Sequence, residues 1–140
     1  MLRTLMIAAT VLASAGPVLA GHDAAAPPPP PKQSGSPVRS IIGKGGPLFT
    51  DPKGMTLYYF ERDDSGNKST CDGACAEKRP PLIAPANAVA TGDFTLITRT
   101  DGKKMWAYRY RPLYTSQMDL APGDIKGDTP SQFWHLARPH

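Results

Sequence analysis

Cys71 and Cys75 are the only cysteines in this 140-residue chain, and three residues separate them. His135 is the one histidine that lies neither in the N-terminal region, where His22 stands, nor at the last position, His140. Two thiolates and a distant imidazole are soft ligands that suit copper, so copper binding or thiol redox through Cys71, Cys75 and His135 is one chemistry open to this set. The spacing differs from the two-residue spacing of dithiol oxidoreductases and of haem attachment. The chain also lacks the alternating strand and helix order of thioredoxin-like folds. The other chemistry is a disulfide, the default for an even cysteine count in an oxidising compartment.

The run Asp63-Asp64-Ser65-Gly66-Asn67-Lys68-Ser69 places oxygen ligands at alternate positions and invites a calcium reading. The template fails at its sixth position, which wants glycine and holds Lys68, and at its twelfth, which wants glutamate and holds Ala74. A polar turn whose Asp63 accepts backbone amides explains the run better. Neither a serine elbow with a histidine partner, nor a zinc histidine pair, nor a phosphate loop is present. The expectation is a non-enzymatic protein with no cofactor, copper being the alternative.

The chain begins with a basic Met1-Leu2-Arg3, an apolar stretch to Ala15, and Val18-Leu19-Ala20. That order predicts a secretory leader over residues 1–20, cleaved after Ala20. Its apolar run is shorter than the roughly 20 residues a bilayer span requires, so no stable membrane insertion is expected after cleavage. Gly21 follows Ala20, so no cysteine stands there to carry a lipid. Residues 21–37 hold Ala24-Ala25-Ala26, five consecutive prolines from Pro27 and Gln33-Ser34-Gly35-Ser36. They read as a flexible linker with a polyproline stretch. Sixteen basic and 12 acidic side chains give +4, and loss of Arg3 with the leader lowers this to +3. This mild charge favours an envelope component over nucleic acid as partner. A periplasmic or secreted location is expected.

Residues 38–140 then form one small domain. Dense proline and glycine disfavour long helices. β-prone runs are Val38 to Ile42, Pro47 to Thr50 and Met55 to Phe60. Asp51-Pro52-Lys53-Gly54 reads as a turn that could join the last two as a hairpin. Phe94 to Thr98, Asp101-Gly102 and Met105 to Tyr108 make the clearest hairpin. Trp106, Tyr108 and Tyr110 alternate and are expected on one face as core residues. Ala74 to Lys78 predicts a short helix capped by Asp72 or Thr70 and ended by Pro80-Pro81. The fold class is mainly β: a small antiparallel domain of two degenerate repeats with one short helix near the cysteines.

The repeat is visible in the residues. Leu57, Tyr58 and Asp63 recur as Leu113, Tyr114 and Asp119, each 56 positions on. In each copy an aromatic is expected to plug the core, while the carboxylate ties down the following turn. Tyr59 alternates with Tyr58 and Phe60 and is the best candidate for a surface aromatic. The segment Tyr58-Tyr59-Phe60-Glu61-Arg62-Asp63 resembles the Y-x-[FWY]-x-x-D signature of a bacterial family of secreted repeats and predicted lipoproteins. Ser69 to Ala76 with Pro80-Pro81-Leu82 looks like that family's cysteine segment. Asp101-Gly102, Tyr108, Pro112-Leu113-Tyr114, Asp119, Pro122-Gly123-Asp124, Gly127 and Trp134 look like its second half. Ser116 stands where an aromatic is usual, and Arg79 where a tryptophan precedes the two prolines. The resemblance implies an exported protein of one fold unit and implies no activity.

Overall fold

The structure is a computed structural model that describes residues 14, 16, 37–63 and 67–140. The expected leader and linker therefore fall almost wholly outside the described residues, as do residues 64–66 of the calcium-like run. Strand β1 (Arg39–Gly43) pairs antiparallel with β2 (Gly46–Thr50). Strand β5 (Phe94–Thr98) pairs in the same way with β6 (Lys104–Tyr108). Two short strands, β4 (Ile83–Ala84) and β7 (Arg111–Pro112), also pair with β6. Strand β3 (Tyr58–Phe60) pairs with β8 (Trp134–Leu136) near the C-terminus. Helix α1 (Ala74–Lys78) lies between β3 and β4, and a 3₁₀ turn at Pro130–Gln132 precedes β8.

Turn chemistry sets both bends that the sequence marks. The Asp51 carboxylate accepts the amides of Lys53 and Met55, both at 2.9 Å, and Gly54 takes a positive φ of 86°. The Asp101 carboxylate accepts the Lys103 amide at 2.9 Å beside Gly102 at φ 82°. Aspartate side chains close such turns by mimicking a backbone acceptor.

The two halves repeat each other bond for bond. Leu57 N–H donates to the Phe49 carbonyl at 2.9 Å, and Leu113 to that of Trp106 at 3.0 Å. Glu61 N–H donates to the Phe133 carbonyl at 2.8 Å, and Gln117 to that of Lys78 at 2.9 Å. The Glu61 and Gln117 bonds cross between halves, and so do two further matched pairs. Phe49 N–H donates to Ala137, as Trp106 does to Leu82, and Ala137 donates to Leu57, as Leu82 does to Leu113, all at 2.9 Å. Each half is thus completed by the final segment of the other: residues 81–84 lie against β6 and Leu113, and residues 134–137 against β2 and β3. The exchange is centred where Tyr58 and Tyr114 swap backbone bonds, at 2.7 and 2.9 Å.

The core follows from this interleaving. Strand β6 reads Lys-Met-Trp-Ala-Tyr and is buried on both faces from Met105 to Tyr108. Met105 and Ala107 join the cluster of Tyr58, Tyr114 and Trp134. Tyr108 packs with Phe49, Leu57 and Leu113, and Trp106 with Ala84 and Ala88.

Three expectations are corrected. Tyr110 does not continue the face of Trp106 and Tyr108: the chain turns at Arg109 and Tyr110, both at positive φ, and leaves Tyr110 58% exposed. The 55–60 segment does not make a full hairpin with β2, sharing with it only the Thr50–Thr56 bridge and the Leu57–Phe49 bond, because the exchange diverts β3 to β8. Helix α1 forms over the expected residues, but its N-cap is Gly73 with no side-chain bond. Asp72 instead faces Arg99 at 3.0 Å. Among the described residues, no helix is long and apolar enough to cross a membrane.

Because each half lacks a strand that only the other supplies, residues 38–84 or 94–140 alone should show no near-ultraviolet circular dichroism. Mixing the two peptides should restore it. A native-like spectrum from either peptide alone would contradict the exchange.

Candidate functional site

Tyr58 and Tyr114 are fully buried and flank the centre of the exchange. Each phenol finds its partner in the opposite repeat. The Tyr58 hydroxyl donates to Asp119 Oδ2 at 2.6 Å, and the Tyr114 hydroxyl to Asp63 Oδ2 at 2.7 Å. The second carboxylate oxygen then holds its own turn, as the sequence predicts. Asp63 Oδ1 accepts the Thr70 amide and hydroxyl, each at 2.8 Å, and Asp119 Oδ1 accepts the Lys126 amide at 2.8 Å. Thr70 and Lys126 stand 56 positions apart, as the tyrosines do. The motif is thus a cross-tie between repeats as well as a turn lock within each.

Two arginines complete the ties. Arg99 donates to the Cys71 carbonyl at 2.8 Å, and Arg79 to the Gly127 carbonyl at 2.7 Å. Cys71 and Gly127 are again 56 apart. Arg99 also bonds Ser69 Oγ at 3.0 Å, and that hydroxyl meets Tyr114 at 2.6 Å. Burial, more than any partner, raises the phenols of Tyr58 and Tyr114 above the ordinary tyrosine range, and Asp119 and Asp63 add to the rise. Burial lowers the Arg79 guanidinium, opposed by Tyr58 and Asp119.

The two departures flagged in the sequence meet at one place. Phe60 stacks on Trp134 with centroids 4.6 Å apart. The equivalent positions in the other copy hold Ser116 and Arg79. Arg79 is buried and lies over the Trp134 ring at 4.4 Å. Gly127 leaves the space this requires. A Cβ there would lie 2.6 Å from the Tyr58 ring and 2.7 Å from both Arg79 and Ser116. The serine, the arginine and the glycine form one packing solution.

Cys71 and Cys75 form a disulfide with Cα atoms 5.2 Å apart, leading into α1. Closing so short a loop restricts the unfolded chain by about 2 kcal/mol. His135 does not join them. It pairs with Glu61 at 2.9 Å and stacks on Tyr59. Among the described residues, no three His, Cys, Asp or Glu side chains gather as a metal would require.

Tyr59 is half-buried, and its ring has two close neighbours. His135 stacks on it with centroids 5.2 Å apart, and the Arg111 guanidinium lies 4.6 Å from its centre. Beside this stack opens a cleft of about 350 Å³ with Leu113 and Ala137 in its floor and Arg109, Arg111, Arg138 and His140 around it. Arg109 meets Asp93 at 3.2 Å, both half-exposed, a pair of little energetic weight. Among the described residues, the Arg138 guanidinium donates one hydrogen bond, to the Pro47 carbonyl at 2.8 Å. Among the described residues neither Arg111 nor Arg138 has a carboxylate partner. Tyr59 was legible as a surface aromatic, whereas the arginines carry no motif.

A family profile described as a secreted repeat of unknown function matches residues 40–83 and 95–138. The chain belongs to this family. The two matched segments are the two halves of the secreted-repeat fold, and each ends on the strand that crosses to the other. Searches of curated proteins and of solved structures return no match to the chain.

Two outcomes follow for the cross-ties. Tyr58→Phe strips a bond from the nearly buried Asp119 and an acceptor from the Gly127 amide, and should cost roughly 2–3 kcal/mol in urea unfolding. Tyr114→Phe leaves Asp63 half-exposed with both Thr70 bonds, and should cost roughly 1 kcal/mol. Equal costs would contradict the asymmetry. A phenol whose folded pKa is raised contributes stability in full below its unfolded value of about 10, and this is lost as pH climbs toward the folded value. Tyr58 and Tyr114, two of the five tyrosines, should therefore ionise only as the fold melts. Tyrosinate absorbance recorded beside circular dichroism tests this, and ionisation of all five before unfolding would contradict it.

Proposed function

We propose that this secreted-repeat protein is exported through its leader, cleaved after Ala20, and acts in the periplasm or medium as a non-enzymatic binding module of the cell envelope. The observation that carries the reading is the fate of the motif side chains. Tyr58, Asp63, Tyr114 and Asp119, the groups a catalytic reading would recruit, are bonded to one another and to backbone amides in or near the core. Groups so committed serve to hold a frame. The frame presents a preformed cleft with an apolar floor and polar groups around it, the usual make-up of a ligand site. The proline-rich segment before residue 38 supplies reach by composition.

Protein recovered from its own compartment should have the mass of a chain beginning at Gly21, less two hydrogens for the disulfide. Incubated with isolated cell-wall material, it should sediment with the polymer and leave the polymer's size distribution unchanged. Release of fragments, abolished by a point change that leaves the fold intact, would overturn the non-enzymatic reading. Failure to sediment would overturn cell-wall binding.

A further inference from the structure

The duplication supplies an internal control for the cleft beside Tyr59. The scaffold positions beneath it hold like residues in both copies: Leu113 matches Leu57, and Ala137 matches Leu82, each pair making the same backbone bonds. Three positions around it do not. Under the same correspondence Arg111 stands against Met55, Arg138 against Ile83, and Tyr59 against Thr115. The cleft thus carries two guanidinium groups and an aromatic ring at positions whose counterparts across the duplication are neutral and non-aromatic. The fold does not need those charges, since the other half keeps the same backbone bonds without them. Packing does not explain them either, because Arg111 is exposed and Arg138 only partly buried.

We propose that this cleft binds a small organic anion, a carboxylate or phosphate monoester carried on a compact apolar body, with Arg111 and Arg138 holding the charged head. The inference rests on the binding-module reading and names its ligand class. Arg111 is suited to the task because its guanidinium already lies 4.6 Å from the centre of the Tyr59 ring, on which His135 also stacks. A planar guanidinium stacked on a ring keeps its N–H edge free for a bidentate oxyanion and loses little freedom on binding. Arg138 is fixed at one nitrogen by the Pro47 carbonyl, which leaves its other donors available. The body of the ligand would lie over Leu113 and Ala137, which line the cleft and belong to one core cluster. A volume of about 350 Å³ is at the small end of ligand sites and suits one ring rather than a polymer segment. A free solute and the terminal residue of an envelope polymer could each present that group.

The test uses the mature chain with phenyl phosphate and benzoate as probes, followed by calorimetry and by amide shifts. Either anion should saturate the site. Inorganic phosphate, which lacks the body, and benzyl alcohol, which lacks the charge, should each bind at least roughly tenfold more weakly. Arg111→Met combined with Arg138→Ile gives this cleft the other half's residues and should weaken the anion by more than roughly tenfold. Ile83→Gln on the opposite half should leave binding unchanged. Urea midpoints report whether the variants fold. Shifts in the unaltered chain should centre on Arg111, Leu113 and Arg138, which keeps the site testable if the double variant does not fold. Saturation by neither anion, equal affinity for benzyl alcohol, equal binding by a folded double variant, or shifts centred elsewhere would each overturn the proposal. Failure of the anions while the protein still sediments with cell-wall polymer overturns this inference alone and leaves the binding module standing. If a polymer terminus is the source, the double variant should also lose sedimentation; if a free solute is, sedimentation should persist.

Discussion

Two phenol hydroxyls with no exposure to water set the terms for the rest of this molecule. A buried hydroxyl without a partner costs on the order of 1–3 kcal/mol, so Tyr58 and Tyr114 each demand an acceptor. Each takes a carboxylate from the opposite repeat. Those carboxylates, brought inward, in turn require further donors, and the turn amides of Thr70 and Lys126 supply them. The turns present carbonyls that Arg99 and Arg79 cap. A single requirement at the centre thus propagates outward through a chain of satisfied polar groups, and it works only if both repeats are docked.

Duplication then separates what the frame needs from what it tolerates. Leu57 and Leu113, Leu82 and Ala137, Tyr58 and Tyr114, Asp63 and Asp119 perform paired tasks, and their types match. Phe60 with Trp134 and Ser116 with Arg79 solve the same packing problem by different means. A stacked aromatic pair fills the space on one side. On the other, a guanidinium lying over Trp134, with a glycine making room, does the same. Arg111 and Arg138 at the Tyr59 cleft belong to neither category, being unmatched across the halves and unneeded by the shared backbone frame.

Much of the fold was legible in the sequence because the governing interactions are local. Asp51 with Gly54 and Asp101 with Gly102 write their turns within a few residues, and the apolar alternation marks the strands they join. The 56-residue echo disclosed the repeat, and the cysteine spacing allowed the disulfide that forms. What could not be read was the long-range exchange. Nothing near Tyr58 announces that its acceptor lies 61 residues away, and nothing near β3 announces β8. The misplacement of Tyr110 has the same root: alternation continues in the letters, but Arg109 and Tyr110 turn left-handed where β6 ends. Arg111 and Arg138 belong to no motif, and aligning the halves residue by residue is the signal that exposes them.

The crossing of the final strands also sets a clock on folding. The first half of the domain reaches its full hydrogen-bond ladder only when residues 134–137 of the second are present to close it. A chain emerging residue by residue from the ribosome therefore cannot complete its first half early, and long-range pairing of this kind forms slowly in any case. In a member of a secreted family, the first half therefore stays short of its final ladder until the closing strand of the second has been made.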